Sequence, residues 1–145
     1  MTIFHDAAEA ILLDFREVPE SSRLELLLEY SNSLPDLPEK YSSHPELLER
    51  VEECQSPVFL FVEVSSENRV QVFLTAPQEA PTTRGFAAIL YKALNDQTPE
   101  IVLDLSDNFV TELGLTNLVS PLRIRGLYGM LARAKRQVSE KLNVD

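Results

Sequence analysis

The chain has 145 residues, 44% of them hydrophobic, and its 13 basic and 23 acidic side chains give a formal charge of −10. That length suits one domain of roughly 100–200 residues with a core of its own. The apolar content, with only 4 glycines and 9 prolines, argues against a disordered or fibrous chain. The acidity disfavours nucleic acid and anionic membrane surfaces as partners, since both are held by lysines and arginines that displace counterions.

The charge is unevenly spread. Residues 1–54 carry 13 acids and 4 bases, whereas residues 122–145 carry 2 acids and 6 bases. The basic C-terminal segment is thus suited to pair with the acidic half of its own chain or with an acidic partner. No stretch approaches the ~18 consecutive apolar residues of a membrane span, and Met1–Ala7 holds no basic leader ahead of an apolar run. The lone cysteine, Cys54, leaves no intrachain disulfide and no multi-cysteine zinc site. The two histidines, His5 and His44, are too few for a histidine-based metal site and read as solvated surface residues. Together these features predict a single cytoplasmic domain over residues 1–145 with no metal of its own.

In chain order, Ile3, Phe4, Ala7, Ala8, Ile11, Leu12 and Phe15 recur at helical spacing up to Pro19. Ser22–Arg23–Leu24–Glu25 has the form of a capping box opening a second helix with Leu24, Leu27, Leu28 and Tyr30. That helix stops before Leu34–Pro35–Asp36–Leu37–Pro38. Residues 35–50 read as loop, with one turn over 44–48. Pro57–Val64 and Arg69–Thr75 are rich in β-branched and aromatic residues and flank Ser65–Asn68, which predicts a β-hairpin. Phe59, Phe61 and Phe73 are assigned to its core, and residues 49–54 are the best source of a third strand.

Beyond the hairpin, Thr82 or Thr83 is placed to cap a helix containing Phe86, Ile89, Leu90, Ala93 and Leu94. Thr98–Pro99 starts a shorter one, and Phe109–Leu115 another, closed by Gly114. Ser120–Pro121 opens a final helix with Leu122, Leu127, Met130, Leu131 and Ala134 facing inward. The fold class is α+β, a small antiparallel sheet packed with helices from both termini.

Cys54 follows Arg50–Val51–Glu52–Glu53 and precedes Gln55–Ser56–Pro57, where a polar loop meets an apolar strand. A thiol at a loop tip is open to attack, while a thiol in a strand is core filler. Glu52 and Glu53 disfavour the thiolate, so reactivity requires a cation or backbone N–H groups brought near by the fold.

Glu53–Cys54–Gln55–Ser56 entering Val58–Phe59–Leu60 resembles the cysteine motif of the SufE-type sulfur acceptors of iron–sulfur cluster assembly. The likeness continues through Leu34–Pro35–Asp36–Leu37, Arg84–Gly85–Phe86, Thr98–Pro99–Glu100 and Leu113–Gly114–Leu115. It ends with Leu118–Val119–Ser120–Pro121–Leu122–Arg123, Gly126–Leu127 and Met130–Leu131, so that it spans roughly residues 10–138. Each motif is weak and their ordered set is strong.

The resemblance implies a SufE/NifU-like fold and a carrier rather than a stand-alone enzyme. In that reading Cys54 accepts persulfide sulfur from a pyridoxal-phosphate-dependent cysteine desulfurase of the SufS type, and the protein stimulates that desulfurase. The sulfur then passes to a SufBCD-like cluster scaffold, and the pyridoxal phosphate belongs to the partner. Gln55 and Ser56 shape the cysteine loop, Arg123 matches an arginine placed near it, and Arg84–Gly85 opens the helix after the hairpin. The chain departs from the family at Glu53, where many members have glycine; a backbone needing φ > 0 there would be strained by glutamate.

Two other readings follow from the residues alone. One is a non-catalytic interaction module in which Cys54 is structural. The other is a Cys54–His44 nucleophile pair, for which no oxyanion motif or orienting partner is visible. Arg125, Arg133, Lys135 and Arg136 read as a solvated helix face outside the site.

Overall fold

The computed structural model describes residues 3–143. Helix α1 (Asp6–Glu17) buries Ala8, Ile11, Leu12 and Phe15, the stripe its spacing predicts. Helix α2 (Arg23–Ser31) follows a 3₁₀ turn over Glu20–Ser22. That turn sets Ser22 at φ −104°, ψ −2°, and its side chain makes no capping bond. The expected capping box is therefore absent, because a helical turn already occupies the serine that would need extended backbone. Tyr30 closes the α1–α2 contact by stacking on Phe15 at 5.6 Å and donating its hydroxyl to Asp14 at 2.7 Å.

Residues 39–42 form a short helix, α3 (Glu39–Ser42), within the segment expected to be loop, and Pro45–Leu47 makes one 3₁₀ turn. The sheet has three antiparallel strands in the order β1 (Glu49–Arg50), β2 (Phe59–Val64), β3 (Val70–Thr75). Its register sets Glu49 opposite Leu60 and Phe61 opposite Phe73. The third strand does arise from the expected segment but spans only its first two residues. After Arg50 one more ladder bond, Val51 N–H to the Val58 carbonyl at 2.9 Å, closes the loop that carries Cys54. Asn68, at φ 63°, makes the left-handed step of the hairpin turn, a conformation that asparagine tolerates better than most residues.

Alternation along β2 and β3 sorts the two faces. Leu60, Val62, Val70, Val72 and Leu74 are buried against α4 (Pro81–Leu94) and α7 (Pro121–Leu142). Phe59, Phe61 and Phe73 lie on the opposite face and are only half-buried, which corrects their assignment to the core. Phe61 and Phe73 are covered by Tyr41 of α3, whose ring stands 5.3 Å from the first and 4.7 Å from the second, while the Arg50 guanidinium lies 6.0 Å from the Phe59 ring centre. Lys141 adds its ammonium 4.0 Å from the Phe61 ring centre.

Pro81 occupies the first turn of α4 behind Ala80, so neither threonine caps it, and Thr83 is buried inside the helix. Two short helices, α5 (Pro99–Asp104) and α6 (Asn108–Glu112), lead to α7, and Gly114 after α6 has φ 72°. Ser120 caps α7 by accepting from the Arg123 N–H at 3.3 Å. At 22 residues α7 is about 33 Å long and runs the length of the sheet. Leu127, Met130, Leu131 and Ala134 face the core as expected, whereas Leu122 is 44% exposed. Among the described residues no helix is long and apolar enough to cross a membrane.

Side-chain amides occupy the outer hydrogen-bonding positions of the sheet. Gln137 of α7 accepts from Val62 N–H at 2.8 Å and donates to the Leu60 carbonyl at 3.4 Å, as a neighbouring strand would. Asn95 accepts from Val72 N–H at 2.9 Å on the opposite edge. Replacing Gln137 by leucine leaves the buried Val62 N–H unpaired, a loss of about 1–3 kcal/mol. Chemical denaturation of Gln137→Leu beside the parent protein measures it.

Candidate functional site

The Cys54 loop is short and tied at its base. Val51 and Val58, both fully buried, anchor its ends. The Cys54 N–H donates to the Val51 carbonyl at 3.1 Å, turning the chain so that the thiol points inward. Cys54 is 7% exposed.

The floor beneath the loop is α7. A Cβ on Gly126 would lie 2.9 Å from the Cys54 sulfur, and one on Gly129 would lie 2.8 Å from the Glu53 side chain. These two glycines, three apart and hence on one face, are the bare strip onto which the loop packs. Each costs the helix about 0.8–1 kcal/mol relative to alanine, so two in a 22-residue helix signal close approach.

Beside the sulfur is a cavity of about 30 Å³ lined by Cys54, Gln55, Ser56, Thr83, Phe86, Leu122, Arg123, Gly126 and Met130. Roughly 10–15 Å³ suffices for one water-sized guest. The structure thus gathers Cys54, Gln55, Ser56 and Arg123 around one space. Arg123 is exposed, and among the described residues its guanidinium has no hydrogen-bond or ion-pair partner.

Arg84 is elsewhere. Its guanidinium donates to the carbonyls of Ser31, Ala76 and Leu34 at 3.1, 2.7 and 3.5 Å, fastening α4 to the end of α2 and to β3. Its neighbour Gly85 allows α2 to approach, since a Cβ there would meet the Leu27 carbonyl oxygen at 2.6 Å. The Arg84–Gly85 motif is a packing device. His44 is exposed and lies against Glu46 at 3.2 Å, outside the residues lining the cavity. His5 is half-buried instead of solvated, with Nε2 2.7 Å from the Ala93 carbonyl oxygen.

Arg133 overturns the expectation of a solvated face. Its guanidinium donates to both carboxylate oxygens of Glu53, at 2.9 and 3.3 Å, and to Glu49 at 2.5 Å. Arg136 bonds Glu49 as well. The signal for Arg133 was present in its position four residues after Gly129, on the helix face that meets the loop. Glu53 has no positive φ, so the backbone there is not strained by glutamate, and the expected cost of the departure does not arise. The Arg133 hydrogen bonds, opposed by partial burial, hold its carboxyl below the usual range.

Burial pushes the Cys54 thiol up to about 11, and the adjacent Glu53 charge adds to this; Arg133 and Arg50 pull the other way without prevailing. At neutral pH the closed loop holds a thiol, not a thiolate. Among the described residues no cluster of three or more His, Cys, Asp or Glu side chains could hold a metal ion.

The Fe–S metabolism associated domain model named SufE matches residues 9–138. The chain belongs to the SufE family. It is 49% identical over 130 residues to a SufE-like protein of Mycobacterium tuberculosis, covering 90% of both chains. It is 25% identical over 118 residues to the cysteine desulfuration protein SufE of Plasmodium falciparum, covering 80% of this chain and 45% of that one. A solution structure of a hypothetical protein from Thermus thermophilus superposes with a TM-score of 0.84 at 34% identity, covering 98% of this chain and all of that one. The family is thus shown by sequence, and the α+β architecture recurs in that solution structure.

Three outcomes follow from the geometry. Alkylation of Cys54 in the free protein, followed by intact mass, rises with pH toward about 11 and does not level off near the ordinary thiol value of 9.0. The corresponding stability, full below 9.0, drains as pH climbs through about 11, because the unfolded thiol ionises first. Gly126→Ala, which drives a methyl into the sulfur, destabilises the fold by about 1–3 kcal/mol and speeds alkylation by expelling the loop.

Proposed function

We propose that this protein is a sulfur carrier in iron–sulfur cluster assembly, a single domain over residues 1–145 that takes persulfide sulfur on Cys54 from a cysteine desulfurase. The observation that carries this reading is a solitary thiol at the tip of a short loop, turned over a cavity sized for one small guest. Family membership supports it, and a relative is named a cysteine desulfuration protein.

The transfer balances without a cofactor in this chain. Cys54 loses its proton to solvent, and the thiolate attacks the terminal sulfur of the donor's cysteine persulfide. A new S–S bond forms at Cys54 as the donor's S–S bond breaks, and the donor cysteine leaves as thiolate. Repetition toward a scaffold complex of the SufBCD type delivers the sulfur. A lone cysteine suits this role, because a second thiol nearby would resolve the persulfide to a disulfide and release sulfide.

The closed loop and the reactive loop are different states. The raised pKa makes Cys54 a poor nucleophile while buried, so acceptance requires the loop to turn outward on docking. Turned back, it shelters one added sulfur atom in the cavity against solution reductants. Arg123, exposed and unpaired among the described residues, steers the approaching partner. Gln55 and Ser56 line the same space, and the compartment is the cytoplasm.

Incubation with a cysteine desulfurase of the SufS type, its pyridoxal phosphate and cysteine, then intact mass without reductant, tests the reading. The expected result is a gain of one sulfur on Cys54, faster sulfide release by the desulfurase, and loss of both in Cys54→Ser. His44→Ala is silent, whereas Arg123→Ala slows transfer about two- to fivefold, the weight of one exposed charge. No adduct together with no stimulation would leave the chain an interaction module with a structural cysteine.

A further inference from the structure

We propose that the Glu53–Arg133 ion pair is the latch of the cysteine loop, and that Glu53 and Arg133 are positioning residues which set how often Cys54 becomes accessible. The loop has three attachments besides its anchored ends. These are the Cys54–Val51 backbone bond, the burial of the sulfur against Gly126, and the grip of Arg133 on Glu53. The first two are available to any sequence with cysteine in this position. The third exists because this chain has glutamate immediately before the cysteine.

The geometry is built for that pair. Gly129 leaves the gap through which the Glu53 side chain runs, its Cβ, Cγ and Cδ all 2.8 Å from where a methyl would be. The carboxylate then meets Arg133 one turn along, through Nε and Nη2, in the bidentate arrangement that makes arginine–carboxylate contacts strong and directional. Both side chains are largely shielded, at 31% and 21% exposure. Glu49, at the base of the loop, fixes the remaining face of the guanidinium and is itself held by Arg136 and Gln137. Arg133 is thereby immobilised from the strand side, so that letting go of Glu53 is the movement left to the pair.

A latch one residue from the thiol couples directly to its exposure. When Glu53 leaves Arg133, the adjoining peptide lifts from Gly129 and Gly126 together, because both residues rest on the same helical strip. The partner that opens it presents a group competing for one half of the pair, a carboxylate for Arg133 or a cation for Glu53. This inference rests on Cys54 being the reactive residue, but its test needs no desulfurase.

The test is the rate of Cys54 alkylation by iodoacetamide at fixed pH near neutrality, read by intact mass, with thermal unfolding as a check on the fold. Glu53→Gln and Arg133→Gln are each expected to react about five- to tenfold faster, the release of one partly shielded, bidentate pair. The double variant reacts no faster than either single one, since the two act as a unit. Arg133→Lys, which keeps the charge, retains part of the protection. Lys135→Ala, on the same helix but with no ion-pair or hydrogen-bond partner among the described residues, leaves the rate unchanged. Unaltered rates in both glutamine variants would overturn the latch, as would rates that multiply in the double variant or equal acceleration by Lys135→Ala. Glu53→Gln also removes a charge that raises the Cys54 pKa, whereas Arg133→Gln removes one that lowers it, so faster reaction in both variants, with thermal unfolding showing each folded, marks the latch and not the charge. A latch that behaves as described while no persulfide forms would refute the carrier reading alone.

Discussion

Everything at this site depends on how closely a strand-to-strand loop can approach a helix. Side chains normally keep a loop backbone several ångströms from a helix surface. Here Gly126 and Gly129 remove that spacer over a single turn, and Glu53 and Cys54 occupy the space. The consequences are chemical as well as steric. The sulfur loses its water, which raises its pKa, and the preceding carboxylate comes within reach of an arginine farther along the same helix. A longer side chain at either glycine would undo both at once.

The charge distribution acquires a structural meaning from this contact. The acidic first third of the chain and the basic last helix meet along β1, the cysteine loop and α7. Arg133 and Arg136 there answer Glu49 and Glu53. Individually, exposed pairs contribute little. As a shielded network that also includes Gln137 and the backbone of β2, they fix the rotation of α7 against the sheet and hence the position of both glycines.

Much of this was legible in the order of residues. The amphipathic stripes of α1, α4 and α7 and the hairpin followed from periodicity alone, and a cysteine between a polar loop and an apolar strand marked the site. The errors have physical causes. Alternation cannot say which face of a hairpin turns inward, so it assigns Phe59, Phe61 and Phe73 to the core when they lie on the outer face, the last two under Tyr41. Arg133 looks like a solvated cation because its partners are 80 and 84 residues away in sequence. Arg84 belongs to a motif on which the resemblance rested, yet its contacts show packing, which a motif cannot distinguish from chemistry. Ser22 has the right spacing for a cap but sits inside a preceding turn.

The amides at the margins of the sheet carry one more implication. A protein that engages another by extending its ladder must offer vacant backbone donors. Here Val62 and Val72 give theirs to Gln137 and Asn95, and Val70 donates to the Gln97 carbonyl. Strand addition, a common route to sheet-bearing partners, meets these positions already filled. A visitor thus cannot extend the ladder through these three donors, and the loop that carries the thiol lies away from them.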